Sequence, residues 1–169
     1  MNKASYLLLV LVIAVGVPFS AAAQKDTIKA PYLKFPTVPP FDLLQPDNNH
    51  LTKDKMPKGK LLLMYFSPTC DHCKHQTDDL LKDINQFKDV QIVMATYQPM
   101  EELITFYQTY KLGNYPNIKV GRDTKFFLPP FFKMQNLPYL ALYDKAGNLL
   151  TIFDGNRPVK KILDAFDGK

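Results

Sequence analysis

The sequence predicts an α/β domain with three layers, in which a central mixed β-sheet carries helices on both faces. Apolar runs that suit buried strands alternate along the chain with segments whose apolar residues recur at helical spacing. Strands that are joined through helices pair in parallel, with right-handed crossovers. Near the end of the chain, two short apolar runs flank a brief polar turn, which makes that pair antiparallel. The predicted sheet therefore contains both strand directions.

The first 23 residues have the features of a secretory signal peptide. Lys3 is their only charge, residues 6–19 are almost entirely apolar, and three alanines at 21–23 supply the small residues of a cleavage site. We expect cleavage near residue 23 and a periplasmic or secreted mature protein. The alternative is an uncleaved N-terminal membrane anchor, which needs roughly 20 apolar residues. Pro18 and the alanines favour cleavage.

Residues 24–40 contain four prolines and are predicted to form an extended entry arm, because proline interrupts regular helix. The folded domain is predicted over residues 41–169, a length that suits one compact unit. Its first part, 41–59, has a turn at residues 46–49 and is expected to hold one short strand or hairpin.

The middle of the chain predicts two strands and two helices. Residues 61–66 form a continuous apolar run, which is typical of a strand covered on both faces. Residues 90–97 are predicted to form a second buried strand. Between them, residues 73–87 have one apolar stripe at helical spacing, and residues 100–112 repeat this pattern after Pro99. The two stripes consist of Leu80, Leu81, Ile84 and Phe87, and of Leu103, Phe106, Tyr107 and Tyr110.

The C-terminal part predicts a hairpin and a final helix. Residues 140–143 and 149–153 are short apolar strands around a turn in which Gly147 suits a positive φ. Pro158 opens a helix that runs through Phe166. Before the hairpin, residues 119–135 contain four phenylalanines around two adjacent prolines, too interrupted for one helix, and we expect these rings to be core or a lid over core. These rings are Phe126, Phe127, Phe131 and Phe132.

The charge pattern argues against nucleic-acid binding. The formal net charge is +5 at pH 7, but the basic residues are scattered among Asp and Glu. They form no basic patch with interleaved aromatic residues, which a nucleic-acid interface would need. We expect a monomer that needs no cofactor and no metal.

The only two cysteines, Cys70 and Cys73, follow the 61–66 run after a Ser-Pro-Thr turn. A strand that ends at Phe66 places Cys70 at the N-cap or first turn of the next helix. There, unpaired N–H groups and the positive end of the helix dipole favour a thiolate. Cys73 lies one turn further on, close enough to form a disulfide with Cys70 or to resolve a mixed disulfide. The pattern predicts a redox-active dithiol, with Cys70 as nucleophile.

Three motifs in this order resemble the thioredoxin-like superfamily: residues 58–60 (Lys-Gly-Lys), residues 70–73 (Cys-Asp-His-Cys), and residues 137–144, which Gly147 follows. More narrowly, the chain is similar to exported TlpA/ResA-type thiol–disulfide oxidoreductases, within the broad AhpC/TSA–thioredoxin group. The resemblance identifies residues 41–169 as a thioredoxin-like domain.

The resemblance also implies roles for two residues before the hairpin. Pro138 would be the cis-proline that packs beside the disulfide, and the backbone of Leu137 would be offered to an incoming substrate strand. The implied partners are protein thiols and disulfides, and a membrane redox protein is a further candidate.

The chain departs from this family pattern around the cysteines. It contains no Trp, and Thr69 stands where many relatives have Trp before the first Cys. Met64 replaces the buried acid of thioredoxins, and Gln76 replaces the Glu of ResA-type members. The peroxiredoxin signature places a Thr two residues before its Cys, whereas Thr69 is adjacent to Cys70, so a peroxidase is not favoured. Candidates to replace the missing proton acceptor are Asp71, Asp78 and His75.

The two residues between the cysteines are expected to tune the redox chemistry in opposite directions. His72 resembles the His of Cys-x-His-Cys sites in disulfide isomerases and periplasmic oxidases, and its imidazolium would stabilise the Cys70 thiolate. Asp71 would destabilise it. Whether the protein acts as a reductant or an oxidant stays open.

Two other functions remain open at this point. A copper or zinc carrier would use Cys70, Cys73, His72 and His75 as ligands. A redox-inactive interaction module would keep the pair as a structural disulfide. A bridge between residues three apart closes a short loop and adds little chain-entropy stabilisation. This favours the oxidoreductase.

Overall fold

The computed structural model describes residues 29–169. The predicted signal segment, residues 1–23, lies outside the described residues, and so does the choice between a cleaved signal and an anchor. Among the residues that are described, none of the helices has the length and apolar character to cross a membrane.

Within the described residues, seven strands form one mixed sheet in the order β2-β1-β5-β4-β3-β6-β7. Strands β3, β4 and β5 are parallel. Strand β6 runs antiparallel to β3 and β7 runs antiparallel to β6, while the β1–β2 hairpin joins β5 antiparallel at the other side. The strands are β1 (Asp42–Leu44), β2 (His50–Thr52), β3 (Lys60–Tyr65), β4 (Val90–Thr96), β5 (Ile118–Arg122), β6 (Tyr139–Tyr143) and β7 (Leu149–Asp154).

Helices cover both faces of this sheet. They are α1 (Pro31–Lys34), α2 (Asp71–Lys82), α3 (Met100–Thr109), α4 (Leu128–Phe132) and α5 (Val159–Phe166). Alternate side chains of β3 point to opposite faces, as a strand requires. Leu62 and Met64 pack with α2, α3 and α5, whereas Leu63 and Tyr65 pack with the entry arm and α4. The predicted three-layer α/β arrangement with a mixed sheet is confirmed.

The predicted extended arm at residues 24–40 is described from residue 29 onward, and this described part is not extended throughout, which corrects the expectation there. Pro31 begins one helical turn, since the N–H that proline lacks would be unpaired at that position. The N–H of Phe35 donates to the carbonyl of Pro31 at 3.0 Å, and Pro36 then prevents continuation of the helix. Beyond the turn, Thr37 forms a β-bridge with Asn148, so this part of the arm lies against the β6–β7 turn.

The sequence predicts no strand at Ile118–Arg122, yet these residues form β5 beside β4. Only Ile118 and Val120 give an apolar alternation there, and the charged residues and Gly121 obscure it. Gly121 is needed at this position, since a Cβ atom would lie 2.6 Å from the Cβ of Leu43 on β1. Strand β5 therefore depends on its pairing with β4 and β1, and its own sequence does not predict it.

Other predictions hold with shifted boundaries. The predicted helix at 73–87 ends at Lys82 and is followed by a 3-10 turn at Ile84–Phe87, and that at 100–112 ends at Thr109. The predicted C-terminal hairpin and last helix are confirmed, with Gly147 at φ +84°. Of the two forms expected for residues 41–59, a short strand or a hairpin, the structure has the hairpin β1–β2. Of the four phenylalanines, only Phe126 is largely exposed, at 50%.

Candidate functional site

Cys70 is the N-cap residue of α2. Its backbone is extended, and the N–H of Cys73 donates to its Sγ at 3.4 Å. The sulfur therefore lies where the helix presents unpaired N–H groups and the positive end of its dipole. Cys70 is partly exposed and both thiols are free. The predicted position of Cys70 at the helix start is confirmed.

Cys73 lies one turn inside α2 and is fully buried. Burial, together with the hydrogen bond to Cys70, raises the pKa of the Cys73 thiol to about 12. The hydroxyl of Thr77 donates to the Cys73 carbonyl at 2.9 Å, which fixes this turn of the helix. At neutral pH Cys73 is thus a protonated thiol, shielded from solvent, directly behind a partly exposed one.

The loop before Cys70 is held at both ends. The N–H of Phe66 donates to the carbonyl of Ala95 at 2.9 Å, and its ring packs 4.7 Å from that of Phe106. The N–H of Cys70 donates to the carbonyl of Ser67 at 3.1 Å. The sulfur of Cys70 therefore stands on a loop anchored to both the sheet and α3.

The structure places Leu137 and Pro138 at the same edge of the sheet as this loop. Tyr139, the first residue of β6, pairs with Tyr65, the last residue of β3. The Leu137–Pro138 peptide bond is cis. Leu137 and Cys70 both pack against the apolar cluster that contains Cys73. The cysteines and the predicted docking residues thus lie at the same edge of the sheet, although they are more than 60 residues apart in the chain.

The side chains of Asp71 and His72 point away from the core. Asp71 is 94% exposed, and one of its carboxylate oxygens accepts from the ammonium group of Lys74 at 3.0 Å. His72 is exposed, and its backbone carbonyl accepts from the side-chain amide of Asn156 at 2.8 Å. Solvent and Lys74 therefore weaken the influence of Asp71 on the cysteines.

Gln76 is a buried member of the site whose structural role sequence reasoning missed. Its side-chain amide donates to the carbonyl of Arg157 at 3.1 Å, and its oxygen accepts from the N–H of Arg157 at 2.7 Å. These two bonds attach α2 to the segment that follows β7. A signal was present, since residues 73, 76, 77 and 80 follow helical spacing and place Gln76 on the buried face.

The other acid–base candidates lie on the solvent side of α2. Asp78 is exposed, and His75 Nε2 lies 3.6 Å from a carboxylate oxygen of Asp79. Across residues 29–169, no three His, Cys, Asp or Glu side chains gather in a way that could hold a metal ion.

The sequence matches no protein-family model and no curated protein. The structure does resemble solved structures. A thioredoxin-like protein from Aeropyrum pernix is 13% identical, with 81% of this chain and 92% of that one aligned at a TM-score of 0.64. A secreted disulfide oxidoreductase from Mycobacterium tuberculosis, homologous to E. coli DsbE, is 12% identical. The alignment covers 77% of this chain and 96% of that one, at a TM-score of 0.62. The peroxidoxin BcpB from the same organism is 12% identical, with 78% of this chain and 94% of that one aligned at a TM-score of 0.66. These likenesses show that the chain has a thioredoxin-like fold.

Proposed function

We propose that the protein is a thiol–disulfide oxidoreductase in which Cys70 and Cys73 alternate between dithiol and disulfide. The observation that carries this proposal is the asymmetry of the pair. Cys70 is partly exposed at the N-cap of α2, and Cys73 is buried one turn behind it with its pKa raised to about 12. A nucleophile needs access and thiolate character, whereas a resolving thiol needs only to reach the nucleophile.

The exchange proceeds in two displacements. The Cys70 thiolate attacks one sulfur of a partner disulfide, a Cys70–partner bond forms, and the other partner sulfur leaves as a thiolate that takes up a proton. Cys73 then gives up its proton and attacks the Cys70 sulfur, which releases the second partner thiol and leaves a Cys70–Cys73 disulfide. The partner is reduced by two electrons and the protein is oxidised by two. The same steps in reverse oxidise a partner dithiol.

Leu137 and Pro138 are the proposed docking edge for the partner. They stand at the start of β6, beside the end of β3 from which the Cys70 loop leaves. Leu137 is half-buried and packs, like Cys70, against the core cluster that contains Cys73. Asp71 and His72 are proposed to tune the cysteine pair from the solvent side.

We also propose that this chemistry takes place outside the cytoplasm. The apolar segment and alanine run of residues 1–23 support export, and the M. tuberculosis oxidoreductase with this fold is described as secreted. In an oxidising compartment the proposed partners are protein thiols and disulfides, with a membrane redox protein as one source or acceptor of electrons.

Trapping of partners tests the assigned roles. In the Cys73→Ser variant, Cys70 should retain partners as long-lived mixed disulfides, because the thiol that would release them is gone. Cys70→Ser should capture few or none, since Cys73 is buried. Non-reducing gels of extracts from cells that express each variant show the adducts. Equal capture by both variants contradicts the roles, and no capture by either favours the redox-inactive module.

A further inference from the structure

A groove of about 380 Å³ lies between α2 and α3 and begins at Pro68 and Thr69, the two residues that precede Cys70. Its volume lies within the roughly 300–1,000 Å³ range of protein binding sites. Phe106 and Tyr110 line its inner part, and their ring centroids lie 4.4 Å apart. Because Phe106 also packs on Phe66, the apolar floor belongs to the core and is preformed.

The rim of this groove is acidic. Glu101 and Glu102, in the first turn of α3, both line it. Among the described residues, neither carboxylate lies within ion-pair distance of a Lys, Arg or His. Lys74 also lines the groove, but its ammonium group is engaged by Asp71 at 3.0 Å. The rim therefore carries net negative charge, although the chain as a whole carries a formal charge of +5.

We propose that this groove binds a segment of the protein partner that carries Lys or Arg beside an apolar side chain, and so brings the partner's cysteine to Cys70. This rests on the proposed function. An apolar side chain fits the Phe106–Tyr110 floor, and the cationic neighbour faces Glu101 and Glu102. The positive charge elsewhere on the molecule repels such a segment, so the acidic rim also orients its approach. The proposed partner is thus a basic polypeptide.

The probe is a pair of short peptides, each with one cysteine activated as a mixed disulfide with 2-thiopyridine. They share a Leu near the cysteine and differ only in two flanking residues, Lys in one and Glu in the other. The Cys70 thiolate attacks the peptide sulfur, the sulfur–sulfur bond to the pyridyl group breaks, and the leaving pyridinethiolate takes a proton from water. The absorbance of pyridinethione gives the rate. All measurements use the mature chain with Cys73→Ser, so that the adduct persists.

The expected result is that the Lys peptide reacts about tenfold faster than the Glu peptide at low salt, with a ratio that falls as salt is added. The double variant Glu101→Gln/Glu102→Gln should remove the preference, and Glu101→Lys/Glu102→Lys should invert it. The matched control is Asp54→Asn/Asp89→Asn, which changes the net charge by the same amount. Asp54 is on the segment after β2, and Asp89 precedes β4 at the sheet edge opposite Cys70. This control should retain the preference.

A neutral small disulfide, 2,2′-dithiodipyridine, distinguishes a failure of the groove proposal from a failure of the proposed function. If it modifies Cys70 but the two peptides react at equal rates, the groove proposal is wrong and the proposed function stands. A preference that survives Glu101→Gln/Glu102→Gln, or that the Asp54→Asn/Asp89→Asn control also abolishes, equally overturns the groove. If Cys70 fails to react even with the neutral disulfide, the proposed function fails and the groove proposal falls with it.

Discussion

At the scale of single residues, the two cysteines differ because of where the helix starts. Cys70 occupies the N-cap, and its sulfur accepts the N–H of Cys73. Cys73 is enclosed by apolar side chains from the sheet and from neighbouring helices. Two cysteines three residues apart thus have opposite environments, and the proposed division into a nucleophile and a resolving thiol rests on this difference.

The raised pKa of Cys73 predicts a stability change at alkaline pH. The unfolded thiol ionises near its ordinary pKa of about 8.5, whereas burial holds the folded value at about 12. The unfolded state therefore loses a proton first, and the contribution of Cys73 to stability, complete below the unfolded pKa, falls as the pH rises towards the folded one. Between pH 8.5 and pH 9.5 the free energy of unfolding of the reduced protein should fall by about 1 kcal/mol through this effect.

Urea unfolding of the reduced protein and of Cys73→Ala over this pH range checks the prediction. The difference in unfolding free energy between the two should shrink as the pH rises. Both proteins retain Cys70, so the two differ only in the side chain of residue 73. A difference that stays constant would mean that Cys73 ionises as easily in the folded state as in the unfolded one.

At the scale of elements, Gln76 attaches the first half of the domain to the second. It joins α2 to the backbone of Arg157, and Asn156 adds a bond from the same segment to the carbonyl of His72. The side-chain amide of Gln76 is suited to a buried link of this kind, since it donates to the Arg157 carbonyl and accepts from the Arg157 N–H. A carboxylate can only accept.

Gln76→Glu is therefore expected to destabilise the protein by about 1–3 kcal/mol at pH 7, because the carboxylate faces the Arg157 carbonyl without a donor between them. Burial raises the pKa of such a carboxyl group, so the loss should be smaller near pH 4, where the protonated acid can donate. Gln135→Glu, at an exposed loop position, is the matched control. Equal unfolding midpoints for the two variants at pH 7 would show that Gln76 does not act as this clamp.

Elements with a strong local pattern are predictable from the sequence, and those formed by their neighbours are not. Strand β3 and helix α5 follow from continuous or periodic apolar residues. Strand β5 does not, because Lys119 and Gly121 break its pattern and its pairing partners lie far away in the chain. The helical turn at Pro31 is also not predicted, since a single turn is too short to show helical periodicity.

The candidate site shows the same division. Cys70 and Cys73 are found because they are local in sequence, and Leu137 and Pro138 follow from the family pattern. The Gln76–Arg157 clamp joins positions more than 80 residues apart, and the groove rim of Glu101 and Glu102 approaches Cys70 only through helix packing. Contacts of that kind depend on the folded arrangement.

At the scale of the whole molecule, the thioredoxin-like fold gathers the site at one edge of the sheet. The loops that leave the carboxyl ends of the parallel strands β3 and β4 and the start of β6, which pairs with the end of β3, lie at this edge. The two apolar cores hold that edge from either face. Cys70, Cys73 and the proposed docking residues thus lie on or beside regular elements, which suits the proposed exchange of disulfides, since that requires two sulfurs to be positioned.

The central claim is that Cys70 and Cys73 form one reversible dithiol–disulfide couple. Its most direct test is to equilibrate the purified protein with buffers of reduced and oxidised dithiothreitol or glutathione and to count the remaining thiols by alkylation and mass spectrometry. We predict that both thiols disappear together in a single two-electron transition. The ratio of reduced to oxidised protein should then change tenfold for each change of about 30 mV in the redox potential of the buffer. Thiols that oxidise independently, or that stay unchanged at every ratio in both buffers, would contradict the account.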